Sequence, residues 1–266
     1  MEKIAIISDI HGNLEALNAI FEDIDKKKIT KIFCLGDIVG KGSHSKECID
    51  LVLKKCEVVL KGNLEELIVA HENLDNKYRI FYRKQLQEEY ISKITGLSFC
   101  YELYISGSLV RFFHAAPTSV YDRVHFFEDH KRKITLFYPS DKTISDKMAD
   151  IVVFGDLHTQ LMEKFYNKTL INCGSVGNST SIIRDDNIDS DFMEVTQAFY
   201  LTIEGEISSK EYNSSLSFDF IRVPYNITKE LENSNLAMDK AEYEYEIKNG
   251  TYRNVDKLKE KYEILS

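Results

Sequence analysis

The chain has 266 residues, of which 43% are hydrophobic, and it carries a formal net charge of −9. This length is sufficient to bury one large core. An acidic chain lacks the cationic face that a nucleic-acid backbone or an anionic membrane surface attracts, so we expect neither bulk nucleic-acid binding nor membrane association. A small phosphate substrate stays compatible with this charge, because bound metal ions would supply local positive charge.

The five cysteines are odd in number and scattered, without a CxxC pair, which is typical of a reduced protein. The first predicted strand begins by about Lys3, which leaves no room for a secretory leader. The longest apolar runs fall short of the roughly 18 residues that span a bilayer. We therefore expect a cytoplasmic protein.

The first part of the chain alternates predicted strands with amphipathic helices. The strands are predicted at residues 3–8, 32–35 and 58–60. The apolar face of the first helix is formed by Leu14, Leu17, Ile20, Phe21 and Ile24, that of the second by Cys48, Ile49 and Val52, and that of the third by Leu64, Leu67, Ile68 and His71. Asn13 is a plausible cap of the first helix. The strand–helix order predicts a parallel sheet with right-handed crossovers.

The pattern then changes to hairpins. A helix at 79–94 precedes a hairpin of Phe99–Ile105 and Leu109–Phe113, a helix at 141–149, a strand at 151–154 and a second hairpin of Leu161–Tyr166 and Thr169–Ile171. Further strands are predicted within 198–212 and 216–223, after a mobile loop at 184–197. We expect a single domain over 1–266, with a core at 1–225 and a helical C-terminal extension at 226–266.

Seven polar side chains follow the ends of five of these strands. They are Asp9, His11, Asp37, Asn63, His114, Asp156 and His158. Because the carboxyl ends of strands meet at one edge of a sheet, such side chains can converge on one point. The spacing of Asp-x-His at 9–11 and again at 156–158 places both members of each pair on the same side.

These residue types point to metal-assisted chemistry, with enough ligands for two cations. The two oxygens of Asp37 could bridge two metals. Imidazole and carboxylate ligands together suit manganese, iron or zinc better than calcium. Two such ions about 3.5–4 Å apart would lower the pKa of a bridging water and hold the oxygens of a phosphoryl group.

The chain resembles the calcineurin-like metallophosphoesterases. The matching segments are Asp9–Asn13, Gly36–Gly40, Gly62-Asn63, Phe113-His114, Gly155–His158 and Asn172–Gly177. The segment Phe218–Val223, with Tyr225 and Glu230-Leu231, is similar to the small bacterial phosphodiesterase branch that includes asymmetric diadenosine tetraphosphate hydrolases. The resemblance implies an α/β fold, a four-layer α/β/β/α sandwich with a helical C-terminal tail.

The same resemblance implies a division of the ligands. One metal would take Asp9, His11, Asp37 and His158. The other would take Asp37, Asn63, His114 and a histidine where this chain has Asp156. Manganese is favoured for both sites, with iron, zinc, magnesium or nickel as alternatives. No catalytic or substrate-binding residue is assigned.

The chain departs from the family pattern at two positions. Leu64 stands where the family has a histidine that assists the leaving group, and such assistance is typically worth about 10²–10⁴-fold. Its absence favours leaving groups that need little protonation, such as a nucleotide phosphate. Asp156 has three interpretations: a direct metal ligand, which we favour, the holder of a metal-bound water, or the sign of a weak second site.

We therefore predict a metal-dependent phosphoesterase in which a water activated by two metals attacks a phosphodiester or a nucleotide phosphoanhydride. The substrate partner is a small phosphate ester or nucleotide, and a homo-oligomer is left open. The alternatives are a catalytically weak metal- or nucleotide-binding regulatory scaffold and a serine/threonine protein phosphatase.

Overall fold

A computed structural model describes residues 1–70, 75–180 and 196–250 of the chain. The elements are, in chain order, β1 (Glu2–Ile7), α1 (Leu14–Lys26), β2 (Lys31–Cys34), α2 (Ser45–Lys55), β3 (Val58–Val59), α3 (Asn63–Val69), α4 (Lys77–Thr95), β4 (Cys100–Ile105), β5 (Ser108–Phe113), α5 (His130–Lys133), a 3₁₀ helix (Ile134–Phe137), β6 (Ile151–Phe154), β7 (Gln160–Phe165), β8 (Lys168–Cys173), β9 (Ala198–Gly205), β10 (Ser217–Val223), α6 (Ile227–Glu232), a second 3₁₀ helix (Ser234–Leu236) and α7 (Lys240–Asn249).

The described strands form two sheets of mixed direction. The first has the order β10-β9-β1-β2-β3, and the second has the order β4-β5-β6-β8-β7. The neighbours β1–β2, β2–β3, β5–β6 and β6–β8 are parallel, and the pairs β1–β9, β9–β10, β4–β5 and β7–β8 are antiparallel. The carboxyl ends of the parallel strands in each sheet point in one direction, so they form a common edge.

Alternating side chains divide the interior into three apolar layers. Ile4 and Ile6 of β1 join Val153 of β6 between the two sheets. Ala5 and Ile7 face the other way, where α1, α2 and α4 cover the first sheet. The outer face of the second sheet is covered by the 3₁₀ helix after α5 and by the segments that flank it. The predicted four-layer α/β/β/α sandwich is confirmed.

Most predicted elements are confirmed, and one is wrong. The helix predicted at 141–149 does not form, since these residues make turns and bends. Its two large apolar side chains, Ile144 and Met148, are 63% and 36% exposed, so they contribute little to a core. The outer layer is instead completed by the short helices at 130–137, which the apolar pattern did not predict.

The remaining predictions concern the tail and two segments. The helical character predicted for the tail is confirmed at α6 and α7. His71, residues 184–195 of the predicted mobile loop and residues 251–266 of the predicted extension lie outside the described residues. The division of the chain into a core and an extension stays a prediction.

Asn13 provides a test of how the first strand–helix connection is held. Its buried side chain accepts a hydrogen bond from the N–H of Ala16 at 3.0 Å and donates one to the carbonyl oxygen of Gly177 at 2.9 Å. We expect Asn13→Ala to lower the free energy of unfolding by about 2 kcal/mol, because a helix cap and a buried bond are lost together.

Urea unfolding measures this difference. The matched control is Asn76→Ala, which removes the cap of α4 from a half-buried position and should cost about 1 kcal/mol or less. Equal losses in the two variants would contradict a role for the bond between Asn13 and Gly177.

Candidate metal centre

The seven candidate ligands lie at the shared carboxyl edge of both sheets. Each follows the end of β1, β2, β3, β5 or β6. Five of them have backbone φ angles between 50° and 64°, in the left-handed region; they are Asp9, His11, Asp37, Asp156 and His158. Non-glycine residues in this region are strained and persist where the surrounding structure holds them. The clustering of these angles therefore marks the edge as a built site.

Backbone hydrogen bonds hold the loops after β1 and β2 against each other. The N–H of Asp9 donates to the carbonyl of Gly36 at 3.0 Å, and the N–H of His11 donates to the carbonyl of Asp37 at 2.9 Å. Gly62 allows a further close approach, because a Cβ at this position would lie 2.2 Å from Asp37 Oδ1. The loops after β1, β2 and β3 are thus packed into one rigid unit.

One triad of ligand atoms forms on the side of His158. Asp9, His11 and His158 offer ligand atoms within 4.8 Å of one another, and all three side chains are buried. The Nε2 atoms of the two histidines are 2.9 Å apart, and Asp9 Oδ1 lies 3.3 Å from Nε2 of His158. Asp9 Oδ1 and His11 Nδ1 are buried without a hydrogen-bond partner. A divalent cation fits this set, because it would engage the lone pair of Asp9 Oδ1 that the protein leaves unmatched and would separate the two facing Nε2 atoms.

A second triad forms on the side of His114. Asp9, Asp37 and His114 also offer ligand atoms within 4.8 Å of one another. Asn63 Oδ1 joins them, 3.0 Å from His114 Nε2. The two oxygens of Asp37 reach different halves of the centre, with Oδ1 3.6 Å from His114 Nε2 and Oδ2 3.9 Å from His11 Nε2. This arrangement agrees with the bridging role predicted for Asp37.

The structure brings all seven predicted residues to one edge, and six of them share the two halves of the centre. Asp156 belongs to neither triad. Its carboxylate accepts two hydrogen bonds from Arg123, from Nε at 2.7 Å and from Nη2 at 2.6 Å. Asp156 Oδ1 lies 3.8 Å from His114 Nε2, so the pair stands directly beside the second triad. Metal ligation by the seven residues stays a prediction.

Histidine ring orientations are set by partners outside the centre. His114 places Nδ1 3.0 Å from the carbonyl oxygen of Leu35, which leaves Nε2 toward the centre. His158 places Nδ1 2.8 Å from the carbonyl oxygen of Asn178. Such outer hydrogen bonds fix the ring and raise its basicity as a ligand.

Asn178 also connects the centre to the C-terminal helix α7. Its Oδ1 accepts a hydrogen bond from Lys41 Nζ at 3.0 Å, and its Nδ2 donates to Glu246 of α7 at 3.1 Å. Lys41 and Glu246 form an ion pair of 2.6 Å in which Glu246 is buried. The tail therefore contacts the residue that orients His158.

Glu65 supports the centre from inside the protein. Its fully buried carboxylate accepts four backbone N–H groups, from Asp37, Ile38, Val39 and Gly62, at 2.8–3.2 Å. These bonds tie the start of α3 to the loop after β2. Glu65 therefore acts as a structural anchor, and its oxygens are committed to the backbone instead of to a leaving group.

The side chain of Leu64 packs in the core, and its backbone N–H contacts a candidate ligand. Its side chain packs against the core beneath α1, α2 and α4. Its N–H donates to Asp37 Oδ1 at 2.9 Å. A leucine side chain has no proton to offer, so the side chain at position 64 cannot assist a leaving group.

The pKa values of the candidate ligands depend on their burial and on the charged side chains packed beside them. Burial alone would lower the pKa of His114, but the carboxylates of Asp37, Asp9 and Asp156 raise it to about 9. Burial raises the pKa of Asp37 well above its ordinary value. Burial also acts to raise the pKa of Asp9, but His158 and His114 lower it below its ordinary range. Burial and the nearby His158 lower the pKa of His11.

Comparison with known proteins identifies the family. The model of the calcineurin-like phosphoesterase family matches residues 2–160, more than half of the chain and all seven candidate ligands. The chain belongs to the calcineurin-like phosphoesterases. The family supports metal-dependent phosphoester hydrolysis, and the two ligand triads agree with its use of divalent metal ions. The resemblance stated from the motifs is confirmed at this level.

Individual relatives of this phosphoesterase are distant. A curated relative, the uncharacterized protein MJ0912 of Methanocaldococcus jannaschii, is 33% identical over 195 residues, which are 65% of this chain and 76% of the relative. Two solved structures share the fold: a metallophosphoesterase from Sphaerobacter thermophilus (TM-score 0.66, 20% identity, 94% of this chain and 99% of that chain) and the hypothetical protein PH1004 from Pyrococcus horikoshii OT3 (TM-score 0.70, 17% identity, 95% and 100%). None of the helices in the described residues has the length and apolarity needed to cross a membrane.

Three supporting residues of this phosphoesterase were missed or underestimated in the sequence. Glu65 carried a signal, since an acid three residues after the N-cap Gly62 can accept the N-cap N–H, and its four bonds exceed that role. Asn178 directly follows the matched segment Asn172–Gly177. Arg123 gave no signal beyond its charge, because only the fold brings it to Asp156.

Metal binding to this phosphoesterase should release protons. A ligating imidazole must be neutral, and His114 with a pKa of about 9 holds its proton at pH 7. We expect the affinity for manganese to rise as the pH increases from about 6 to 9. At higher pH, fewer protons compete with the cation for the side chains of His114 and Asp37.

Calorimetric titration with manganese in buffers of different ionisation enthalpy measures the proton release. His130→Gln is a matched control, because His130 stacks on Phe165 away from the centre and should leave the release unchanged. A titration in which no proton is released at pH 7 would contradict the charge assigned to His114.

Glu65 and its neighbour Glu66 allow a second test. We expect Glu65→Gln to lower the free energy of unfolding by about 2–3 kcal/mol, because the amide cannot replace a carboxylate that accepts four N–H groups. The same variant should bind manganese more weakly, since Asp37 and Asn63 lose their common anchor.

Urea unfolding and manganese titration of both variants provide the measurement. Glu66→Gln is the control, because Glu66 forms a partly exposed ion pair with Lys61 at 3.0 Å and should cost less than about 1 kcal/mol. If both variants unfold at the same urea concentration, Glu65 is not an anchor.

Proposed function

We propose that this phosphoesterase hydrolyses a phosphodiester or a nucleotide phosphoanhydride with the help of two divalent cations. The observation that carries the proposal is the pair of buried ligand triads that share Asp9, with Asp37 reaching both halves through different oxygens. Bound cations would supply Lewis-acid stabilisation of phosphoryl oxygens and a nucleophile at neutral pH. Manganese is the cation that we propose for both sites.

The residues of the chain divide into two groups around these cations. His11 and His158 would hold one cation together with Asp9, while Asn63 and His114 would hold the other. Asp37 would contribute to both. Five of these side chains, those of Asp9, His11, Asp37, His114 and His158, are buried, which strengthens their electrostatic interactions.

Leu64 supports the choice of substrate class. Because position 64 donates no proton to a departing oxygen, an alkoxide would be expelled slowly. A nucleotide phosphate or an aryl oxide needs little protonation and remains a competent leaving group. The proposal therefore favours nucleotide anhydrides among natural substrates, with diadenosine tetraphosphate as the first to be tested.

The proposal includes a reducing, cytoplasmic location. It is supported by the five cysteines, all of which are described and present as thiols without a disulfide.

The experiment is hydrolysis of bis-p-nitrophenyl phosphate and of diadenosine tetraphosphate by the purified protein with manganese. We expect turnover by the wild type and a loss of at least about 100-fold in Asp37→Ala, because a residue that reaches both cation positions is removed.

The control variant is Asp50→Ala, which removes a carboxylate that pairs with Lys93 on the surface at 2.8 Å and should leave turnover unchanged. Wild-type protein that contains two equivalents of metal and hydrolyses neither compound would refute the enzyme and favour the regulatory scaffold. Full activity in Asp37→Ala would refute the role of the triads.

A further inference from the structure

We propose that Glu246 of α7 is a positioning residue for the metal centre. Through the side-chain amide of Asn178 it fixes the ring of His158, and it thereby raises the affinity of the half of the centre that contains His11 and His158. This inference rests on the proposed function, because it assigns the control of one of the two cations which that function requires.

His158 needs a defined ring state in order to bind a cation. Its Nε2 lies 3.3 Å from Asp9 Oδ1, inside the centre. Its Nδ1 lies 2.8 Å from the carbonyl oxygen of Asn178 and 3.0 Å from Asn178 Oδ1. Both partners of Nδ1 are oxygen acceptors, so Nδ1 carries the proton of the neutral ring. Nε2 then presents its lone pair to the centre, which is the state that a ligating imidazole needs.

The amide of Asn178 supports this ring state in one of its two orientations. With Oδ1 toward His158, the amide accepts a hydrogen bond from Nδ1. If the amide were turned over, its NH₂ group would face the N–H group of the ring, and two donors would oppose each other. The turned amide would therefore weaken the ring state that ligation requires.

Glu246 and Lys41 together select the supporting orientation. Asn178 Nδ2 donates to Glu246 Oε2 at 3.1 Å, and Asn178 Oδ1 accepts from Lys41 Nζ at 3.0 Å. A carboxylate only accepts and an ammonium only donates, so both partners require the same orientation of the amide. Glu246 Oε2 also accepts from Lys41 Nζ at 2.6 Å, which holds the ammonium beside Oδ1. Glu246 therefore sets the amide both directly and through Lys41.

The backbone of Asn178 is held separately from α7. Asn178 is fully buried, and its N–H donates to Ser175 Oγ at 2.8 Å. Ser175 Oγ in turn donates to the carbonyl oxygen of Asp9 at 2.6 Å. A change at Glu246 should therefore release the amide of Asn178 without moving the loop that carries it.

The other half of the centre takes its orientation from different elements. His114 Nδ1 lies 3.0 Å from the carbonyl oxygen of Leu35, and His114 Nε2 lies 3.0 Å from Asn63 Oδ1. Leu35 follows β2 and Asn63 follows β3, whereas Asn178 follows β8. An effect that Asn178 transmits should therefore reach one cation and leave the other unchanged.

The test is a calorimetric manganese titration of the full chain as wild type, Glu246→Ala and Glu246→Gln. We expect Glu246→Ala to weaken one of the two manganese equivalents about 3–10-fold, the effect of one lost hydrogen bond, and to leave the other unchanged. Glu246→Gln should lose less, because its amide oxygen can still accept from Asn178 and Lys41. His158→Asn identifies the affected equivalent, since it should weaken the same one.

Asn178→Ala separates positioning from charge. It removes the amide but keeps the ion pair between Lys41 and Glu246, and it should weaken the same equivalent. In the double variant with Glu246→Ala, the loss should be smaller than the sum of the two single losses, since the two residues act through one contact.

Glu244→Ala is the matched control. It removes another carboxylate of α7, which pairs with Lys240 and Lys248 at 3.6 Å, and it should leave both manganese equivalents unchanged.

NMR of the imidazole nitrogens in the metal-free proteins gives a second readout, because it reports which ring nitrogen carries the proton. We expect Glu246→Ala to change the signals of His158 and to leave those of His114 in place. A purely structural effect of the substitution would not be confined to one of these two rings.

Each outcome decides the proposal. Equal weakening of both equivalents, fully additive losses in the double variant, or equal losses in Glu246→Ala and Glu246→Gln would overturn it, and so would unchanged manganese binding in Glu246→Ala. If the wild type binds manganese but hydrolyses no substrate, the proposed function fails, whereas the titration still decides the role of Glu246. If the wild type binds no manganese, unchanged His158 signals in Glu246→Ala would overturn the positioning role.

Discussion

The constraint on which the site depends is the burial of three carboxylates, Asp9, Asp37 and Asp156, at one edge of two sheets. A buried carboxylate is costly unless a positive partner or hydrogen bonds compensate it. In this phosphoesterase the compensation comes from the proton of His114, from Arg123 and from backbone N–H groups. Divalent cations would replace the protons, which explains why the same crowding favours metal binding.

The second requirement is a scaffold that maintains unfavourable backbone geometry. Each non-glycine residue in the left-handed region costs of order 1–3 kcal/mol. The packed layer between the two sheets and the bonds that join the loops after β1 and β2 offset this cost. Core packing and site geometry are therefore coupled, although the core residues contact no substrate.

The strands and their polar ends could be predicted from the sequence because both are local patterns. Apolar runs that stop at Asp, Asn or His predicted β1, β2, β3, β5 and β6 and the seven candidate ligands. The helix predicted at 141–149 was wrong because Ile144 and Met148 have helical spacing but stay 63% and 36% exposed. Helical spacing alone cannot tell a buried face from an exposed one.

The contacts around the ligands could not be predicted for a different reason. Arg123 meets Asp156 across 33 residues of sequence, and Glu65 meets Asp37 across 28. Such pairs arise from the packing of loops, and nothing in the local sequence records which distant side chain will be the partner. The candidate ligands could therefore be predicted from the sequence, but the residues that orient them and neutralise their charge could not.

The contact between Lys41 and Glu246 makes the C-terminal helix α7 part of the electrostatic environment of the candidate metal centre. The ammonium of Lys41 is one of the charges that lower the pKa of His11, and Glu246 offsets it at 2.6 Å. A chain cut before α7 would remove the carboxylate of Glu246 from beside that charge, making His11 a poorer donor toward any cation. A truncated protein that lacks α7 would therefore bind metal more weakly than the full chain, even if it folds well.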